Sequence, residues 1–207
     1  MTTLYKYPRT PHLPRSPGYS GDDIRFADIS HFYGKQIVIT EKRDGENTTL
    51  YTDAIHARSL NNRYHDSQSW VRQLHASIAN DIPEGMRICG ENLYAQHSLR
   101  YENLSTYFEV FSVWQEDYCL SWAETVEWVE LLGLSTVPVL YVGEWDVEFV
   151  QQVMQINPSV QEGYVVRNSE RFYYQEFSQN VAKYVREGHV TTNESWRMKW
   201  KKNQLTY

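Results

Sequence analysis

Glu41-Lys42-Arg43-Asp44-Gly45-Glu46-Asn47 is the stretch on which the reading of this chain turns. The apolar run from Gln36 to Thr40 reads as a strand, and Asn47 to Thr52 reads as the next one. Asp44-Gly45 supplies a tight turn between them. A lysine at the end of an apolar strand, followed at once by a tight turn, is held in place. Lysine is a poor nucleophile while protonated, but burial and neighbouring positive charge favour the neutral amine. Taken alone, the plainer reading is a hairpin turn flanked by surface charge, so other segments must decide.

Outward from this stretch, Arg87 to Leu93, Tyr107 to Trp114 and Gly163 to Arg167 read as further strands. Arg171 to Glu176 follows Gly163 to Arg167 across an Asn-Ser turn, and the two are expected to form a hairpin. Helical patterns interrupt the strands. Ser121 and Glu124 form a capping box at the head of Ser121 to Leu132, with Gly133 as the stop and Trp122, Val126, Val129 and Leu132 on one face. A second helix is expected from Asp66 to Asn80, presenting Trp70, Leu74 and Ile78, and a third from Asp146 to Ile156. Strand pairs with helices inserted between them imply an α+β fold with largely antiparallel sheets. No internal repeat and no Gly-rich phosphate loop is present, so nucleotide handling would rest on side chains.

The 207 residues suit one domain with short appendages. Residues 1–20 hold Pro8, Pro11, Pro14 and Pro17 and are expected to form an extended arm; residues 21–190 form the domain, and residues 191–207 a short basic tail containing Trp196 and Trp200. With 7 Trp and 16 Tyr, aromatics should supply much of the core. Apolar runs such as Val137 to Val142 are too short for a membrane span, and a cytoplasmic location is expected. Cys89 and Cys119 have no metal-ligand spacing and read as buried free thiols. The histidines offer no metal pair. The net charge of -6 is uneven: from Lys183 onward six basic residues face Glu187 and Glu194, giving +4 there and -10 elsewhere. Such a tail could track a nucleic-acid backbone.

Three more segments place charge at the ends or middle of apolar strands: Cys89-Gly90-Glu91-Asn92, Glu162-Gly163-Tyr164-Val165-Val166-Arg167 and Val181-Ala182-Lys183-Tyr184-Val185-Arg186. Each is weak alone, and their order is the signal. Together with the Lys42 segment they resemble the motif set of the covalent nucleotidyltransferases, the DNA ligases, RNA ligases and mRNA capping enzymes. Glu41, Asn47, Tyr107-Phe108-Glu109-Val110-Phe111 and His189-Val190-Thr191-Thr192 make the chain most similar to nick-sealing, ATP-dependent RNA ligases.

The resemblance implies the adenylyltransferase domain of that superfamily, with Lys42 forming a covalent AMP adduct from ATP. AMP would then pass to an RNA 5'-phosphate, and a 3'-hydroxyl would close the bond. It implies that Lys183 contacts the α-phosphate and, as a nearby cation, depresses the pKa of Lys42. Glu162 would help hold Mg²⁺ or Mn²⁺. Glu91 would contact the ribose, Phe108 would stack on adenine, Glu41 would sit beside the purine edge, Arg58 near the phosphates, and Asn47 at the RNA 5'-phosphate. Relatives often carry two lysines one residue apart in the last motif, whereas here Val185 takes the second position and Arg186 follows. The 21 residues after Arg186 are too few for an accessory clamp, so no separate OB domain is expected, and a partner protein delivering RNA ends becomes plausible. The alternatives are a DNA ligase, a capping-type guanylyltransferase, or a non-catalytic RNA-binding protein of the same fold.

Overall fold

A computed structural model of the chain describes residues 2–19, 21, 23–26, 28–60, 64–146, 148, 155–188 and 200–206. The expected helix from Asp146 to Ile156 lies mostly outside these residues, and His189 to Thr192, Trp196, Arg197 and Lys199 lie wholly outside them. In chain order the first strands are β1 (Gln36–Lys42), β2 (Glu46–Leu50), β3 (Ile55–Ala57), β4 (Met86–Asn92) and β5 (Phe108–Gln115). There follow β6 (Tyr118–Cys119), β7 (Ser135–Thr136), β8 (Val139–Glu144), β9 (Gly163–Asn168), β10 (Phe172–Tyr173) and β11 (Val181–Val185). The helices are α1 (Ser69–Ile78), α2 (Trp122–Leu131) and the short α3 (Phe177–Asn180).

Two sheets result. The first is antiparallel, in the order β11-β9-β1-β8; the second runs β10-β6-β5-β4-β2-β3, with β7 added in parallel beside β5. The chain leaves the first sheet at Lys42 and enters the second at Glu46, so the Asp44-Gly45 turn joins two sheets instead of closing a hairpin. The hairpin expected from Gly163–Arg167 and Arg171–Glu176 does not form either. Both sides of β9 are taken, by β1 and β11, and the next strand shrinks to β10, which pairs with β6 of the second sheet before a 3-10 turn over Tyr174–Glu176.

The helices follow the sequence closely. The Ser121 side chain accepts from the Glu124 amide while Glu124 reaches back to Ser121, and Gly133 ends the helix at φ +64°. A 3-10 turn over Asp66–Gln68 leads into α1, and another over Ala79–Asp81 follows it. Both helices cover one face of the second sheet, where Val71, Ile78, Val129 and Leu132 pack on Leu50, Ile88, Phe108, Val110 and Val113. The first sheet has its own core of Phe32, Ile37, Ile39, Tyr164 and Val166. Between the sheets lie Trp114, Phe172, Phe177 and Val181 with the free thiols Cys89 and Cys119.

Both chain ends are fastened to this body. The Leu13 amide donates to the Lys183 carbonyl, the Lys183 amide to Pro11, and the Gly18 amide to Val185, so the proline-rich arm runs beside β11, bridging it at His12, and covers its edge. Ser16 Oγ accepts from the Val185 amide at 2.9 Å. At the other end, Asn203 is fully buried; its side chain donates to the Leu93 carbonyl and accepts from the Tyr101 amide. Lys202 sits over the rings of Tyr94 and Tyr107. The described part of the tail is thus docked on the loop between β4 and β5. Among the described residues no helix is long and apolar enough to cross a membrane.

Candidate active site

Strand register brings the two lysines to one surface. Lys42 stands opposite Gly163, and Thr40 opposite Val165, which in turn stands opposite Lys183 on the far side of β9. Side chains in one cross-strand row, and in rows two apart, share a face, so Lys42 and Lys183 lie diagonally on the same face of the first sheet. Between them Gly163 is required, because a Cβ there would collide with the Tyr184 carbonyl oxygen. The residue before it, Glu162, is buried and accepts a 2.5 Å hydrogen bond from Lys42 Nζ. Glu91 approaches from the second sheet, opposite Asn47, and accepts from the Gly45 amide at 3.1 Å.

This face opens on a cavity of about 450 Å³ between the two sheets, within the range of nucleotide-sized sites. Lys42, Glu41, Asn47, Arg58, Glu91 and Lys183 all line it. Asn47 Oδ1 is buried with no hydrogen-bond partner among the described residues, the condition of a polar group waiting for a ligand. Glu41 is not a bare carboxylate. Arg43 bridges it at 2.7 Å to Glu109, which takes two bonds from the same guanidinium at 2.7 and 3.2 Å. Sequence reasoning passed over Arg43 and Glu109, although both stand inside quoted motifs.

Phe108 is a correction. It is fully buried in the core behind the second sheet and does not line the cavity. The aromatics that do include Tyr7, Phe172 and Phe111, and Phe111 does so for a definite reason. Gly90 pairs with Val110 and Cys89 with Ser112, which leaves Phe111 as the extra residue of a β-bulge. The bulge turns Phe111 and Ser112 together toward the cavity, where Tyr7 of the arm meets the Phe111 ring edge-on at 5.1 Å. Arg186 does not line the cavity; its guanidinium reaches Ser98 at 3.4 Å. Val185, where that lysine would be, is buried beneath Gly18 of the arm.

The charges around Lys42 reverse one expectation. Burial pulls its ammonium toward the neutral form, but Glu162, Glu91 and Asp44 together outweigh burial and hold it above the ordinary lysine value. Lys183 is the depressed member of the pair: burial lowers it, and Lys42 and Arg58 add repulsion against the attraction of Asp23 and Glu162. In the free protein the nucleophile candidate is therefore a protonated amine tied to Glu162. Burial also lifts the Glu91 carboxyl to about 8, with Glu162 and Asp44 reinforcing the shift against Lys42.

That shift sets a pH window for stability. A carboxyl raised on folding contributes stability in full below its unfolded value of 4.5, and the contribution is lost as pH rises through about 8. Glu91→Gln cannot ionise, so its melting temperature should gain on wild type by about 2 °C or more between pH 5 and pH 9. Thermal melts across that range, with parallel pH dependence for the two proteins, would contradict the assignment.

Among the described residues no three His, Cys, Asp or Glu side chains gather as a metal cage. A divalent cation would be held by Glu162, with Glu91 beside it, and otherwise by water or phosphate oxygens. That donor set suits Mg²⁺ or Mn²⁺. Among the described histidines, His56 hydrogen-bonds Ala57 and Tyr51, His75 the Tyr51 carbonyl, and His31 packs against the rings of Phe26 and Phe32.

Solved structures share this fold. The RNA ligase of Naegleria gruberi with PPi aligns at TM-score 0.57 and 17% identity, over 80% of this chain and 53% of that one. A variant of it with AMP and Mn gives 0.55 and 17%, over 76% and 52%, and a variant with ATP and Mn gives 0.52 and 19%, over 76% and 51%. The present chain therefore spans about half the length of these proteins. No curated protein matches the sequence. The RNA ligase family model matches residues 35–185, from just before β1 to the end of β11, and the chain belongs to the RNA ligase family.

Proposed function

We propose that this chain is an ATP-dependent RNA ligase in which Lys42 carries AMP as a covalent intermediate. The observation that supports the reading most is that Lys42 and Lys183 share one sheet face and line a nucleotide-sized cavity, with Glu162 accepting a hydrogen bond from Lys42. Lys42 Nζ, having lost a proton, attacks the α-phosphorus of ATP; an N–P bond forms, the bond to the bridging oxygen breaks, and pyrophosphate leaves with that electron pair. Glu162 is the acceptor within reach of the Lys42 proton. An RNA 5'-phosphate oxygen then displaces Lys42 from phosphorus, and a 3'-hydroxyl displaces AMP to close the phosphodiester. Each displacement is in line, so what the protein supplies is position and positive charge. Lys183 supplies charge at the α-phosphate, Arg58 at the same mouth, and Asn47 a polar group for the RNA 5'-phosphate.

Within this reading Glu91 meets the ribose, Glu41 is aimed at the purine edge by Arg43, and the base lies against Phe111. Mg²⁺ or Mn²⁺ held at Glu162 would offset charge on phosphate oxygens. Cytoplasmic action on nicked RNA or RNA ends, with a repair partner presenting them, completes the proposal. The test offers labelled ATP, GTP and NAD⁺ as donors, then RNA nicks, DNA nicks and single-stranded ends as acceptors. Adduct from ATP alone and sealing of RNA are expected. GTP labelling would indicate capping chemistry, DNA sealing a DNA ligase, and RNA binding without adduct a binding protein.

A further inference from the structure

The N-terminal arm does more than cover an edge. Tyr5 and Tyr7 face inward: the Tyr5 amide donates to Tyr51 Oη, and Tyr7 packs edge-on against both Phe111 and Phe177. Tyr174 Oη donates to the Lys6 carbonyl at 2.6 Å, so the backbone between the two tyrosines is pinned. In an extended chain alternate side chains point opposite ways, which sends Lys6 outward. It reaches a second, polar pocket of about 530 Å³ lined by Lys6, Arg9, Thr10, Asp23, Arg58, Ser59 and Lys183. Four cations and one carboxylate share that space, and Asp23 is engaged by His12 at 3.3 Å and Lys183 at 3.8 Å.

The two cavities share Thr10, Arg58, Ser59 and Lys183, whereas Lys42 lines only the first. Lys183 thus stands between Lys42 and the arm's cations. In-line attack by Lys42 places the departing group on the side of phosphorus away from Lys42. We infer that Lys6 and Arg9 of the arm, with Arg58 and Lys183, form a pyrophosphate pocket that receives the β- and γ-phosphates of the nucleotide. This rests on the reading of Lys42 as nucleophile, and it assigns to the arm a part in nucleotide binding that the matched segment, residues 35–185, does not contain. The RNA 5'-phosphate would later approach from the same side, so one phosphate chemistry has two sources.

The test compares the full chain with a Lys6→Ala/Arg9→Ala double variant and with Arg100→Ala, a surface cation paired with Glu102 and lining neither cavity. Calorimetric titration with inorganic pyrophosphate needs no enzymatic activity; affinity should fall about tenfold or more in the double variant and stay unchanged in Arg100→Ala, a loss of about 1.4 kcal/mol. The KM for ATP in self-adenylylation should rise by a similar factor, and reversal of the adduct by pyrophosphate should slow. Pyrophosphate binding equal in wild type and double variant would overturn the inference. So would an unchanged KM for ATP with only AMP transfer to 5'-phosphorylated RNA impaired, which would assign the pocket to the acceptor. Loss of pyrophosphate binding in a protein that never forms an adduct would uphold the pocket and remove the ligase reading instead.

Discussion

Lys42→Arg is expected to abolish covalent labelling by ATP, by at least about 10³-fold, while leaving the fold intact. Arginine keeps a cation against Glu162 but has no amine that can lose its proton near neutral pH. Lys42→Ala should lose labelling equally, with a second consequence. Lys42 is the ammonium that hydrogen-bonds the buried Glu162, and removing it takes away that partner. With the Lys42 side chain a quarter exposed and that of Glu162 only 7% exposed, the expected loss of stability is about 1–3 kcal/mol. Labelling and melting temperature measured on both variants separate chemistry from charge balance. Persistent labelling of either would contradict the role of Lys42, and equal melting temperatures would contradict the charge argument.

Glu162→Gln should slow adenylylation by about 10²-fold or more, and the pH profile carries the diagnostic content. In wild type the reactive fraction of Lys42 is the neutral amine, so the rate should climb about tenfold per pH unit while pH stays below the Lys42 pKa. Glu162 is the largest single influence holding that pKa up. Glutamine removes it, so burial gains ground and the residual activity should level off at lower pH than in wild type. The rate falls even though the amine is easier to deprotonate, because the proton acceptor and the anchor that aims Nζ are gone. A slow variant with an unshifted profile would mean that Glu162 acts only by supporting the fold.

Much of this site is legible in the order of charged residues along apolar strands. Lys42, Glu91, Glu162 and Lys183 each end or interrupt such a strand, and each lines the cavity or pairs with a residue that does. The helix α2 is equally legible, since its cap, apolar face and glycine stop are all local signals. What escapes is what register decides. Every residue of β5 from Phe108 to Trp114 except Phe111 is buried, so alternation is silent about which face the cavity takes, and a single bulged residue exchanges Phe108 for Phe111. The pairing of β10 depends on which strand edges remain open in two sheets, a tertiary fact. The pKa order of the two lysines depends on burial and on Glu162 and Glu91, which reach Lys42 from segments remote in sequence. The arm reads as an extended surface segment, yet Tyr7 becomes a wall of one cavity and Lys6 and Arg9 of the other only once β11 offers it an edge.

Locating the nucleotide on the wild-type protein tests Lys42 as its carrier. After incubation with ATP and Mg²⁺, intact mass should show the addition of one AMP per chain, and peptide mapping should place it on the peptide containing Lys42. An adduct on any other residue, or none in protein shown to be free of AMP beforehand, would contradict the role of Lys42.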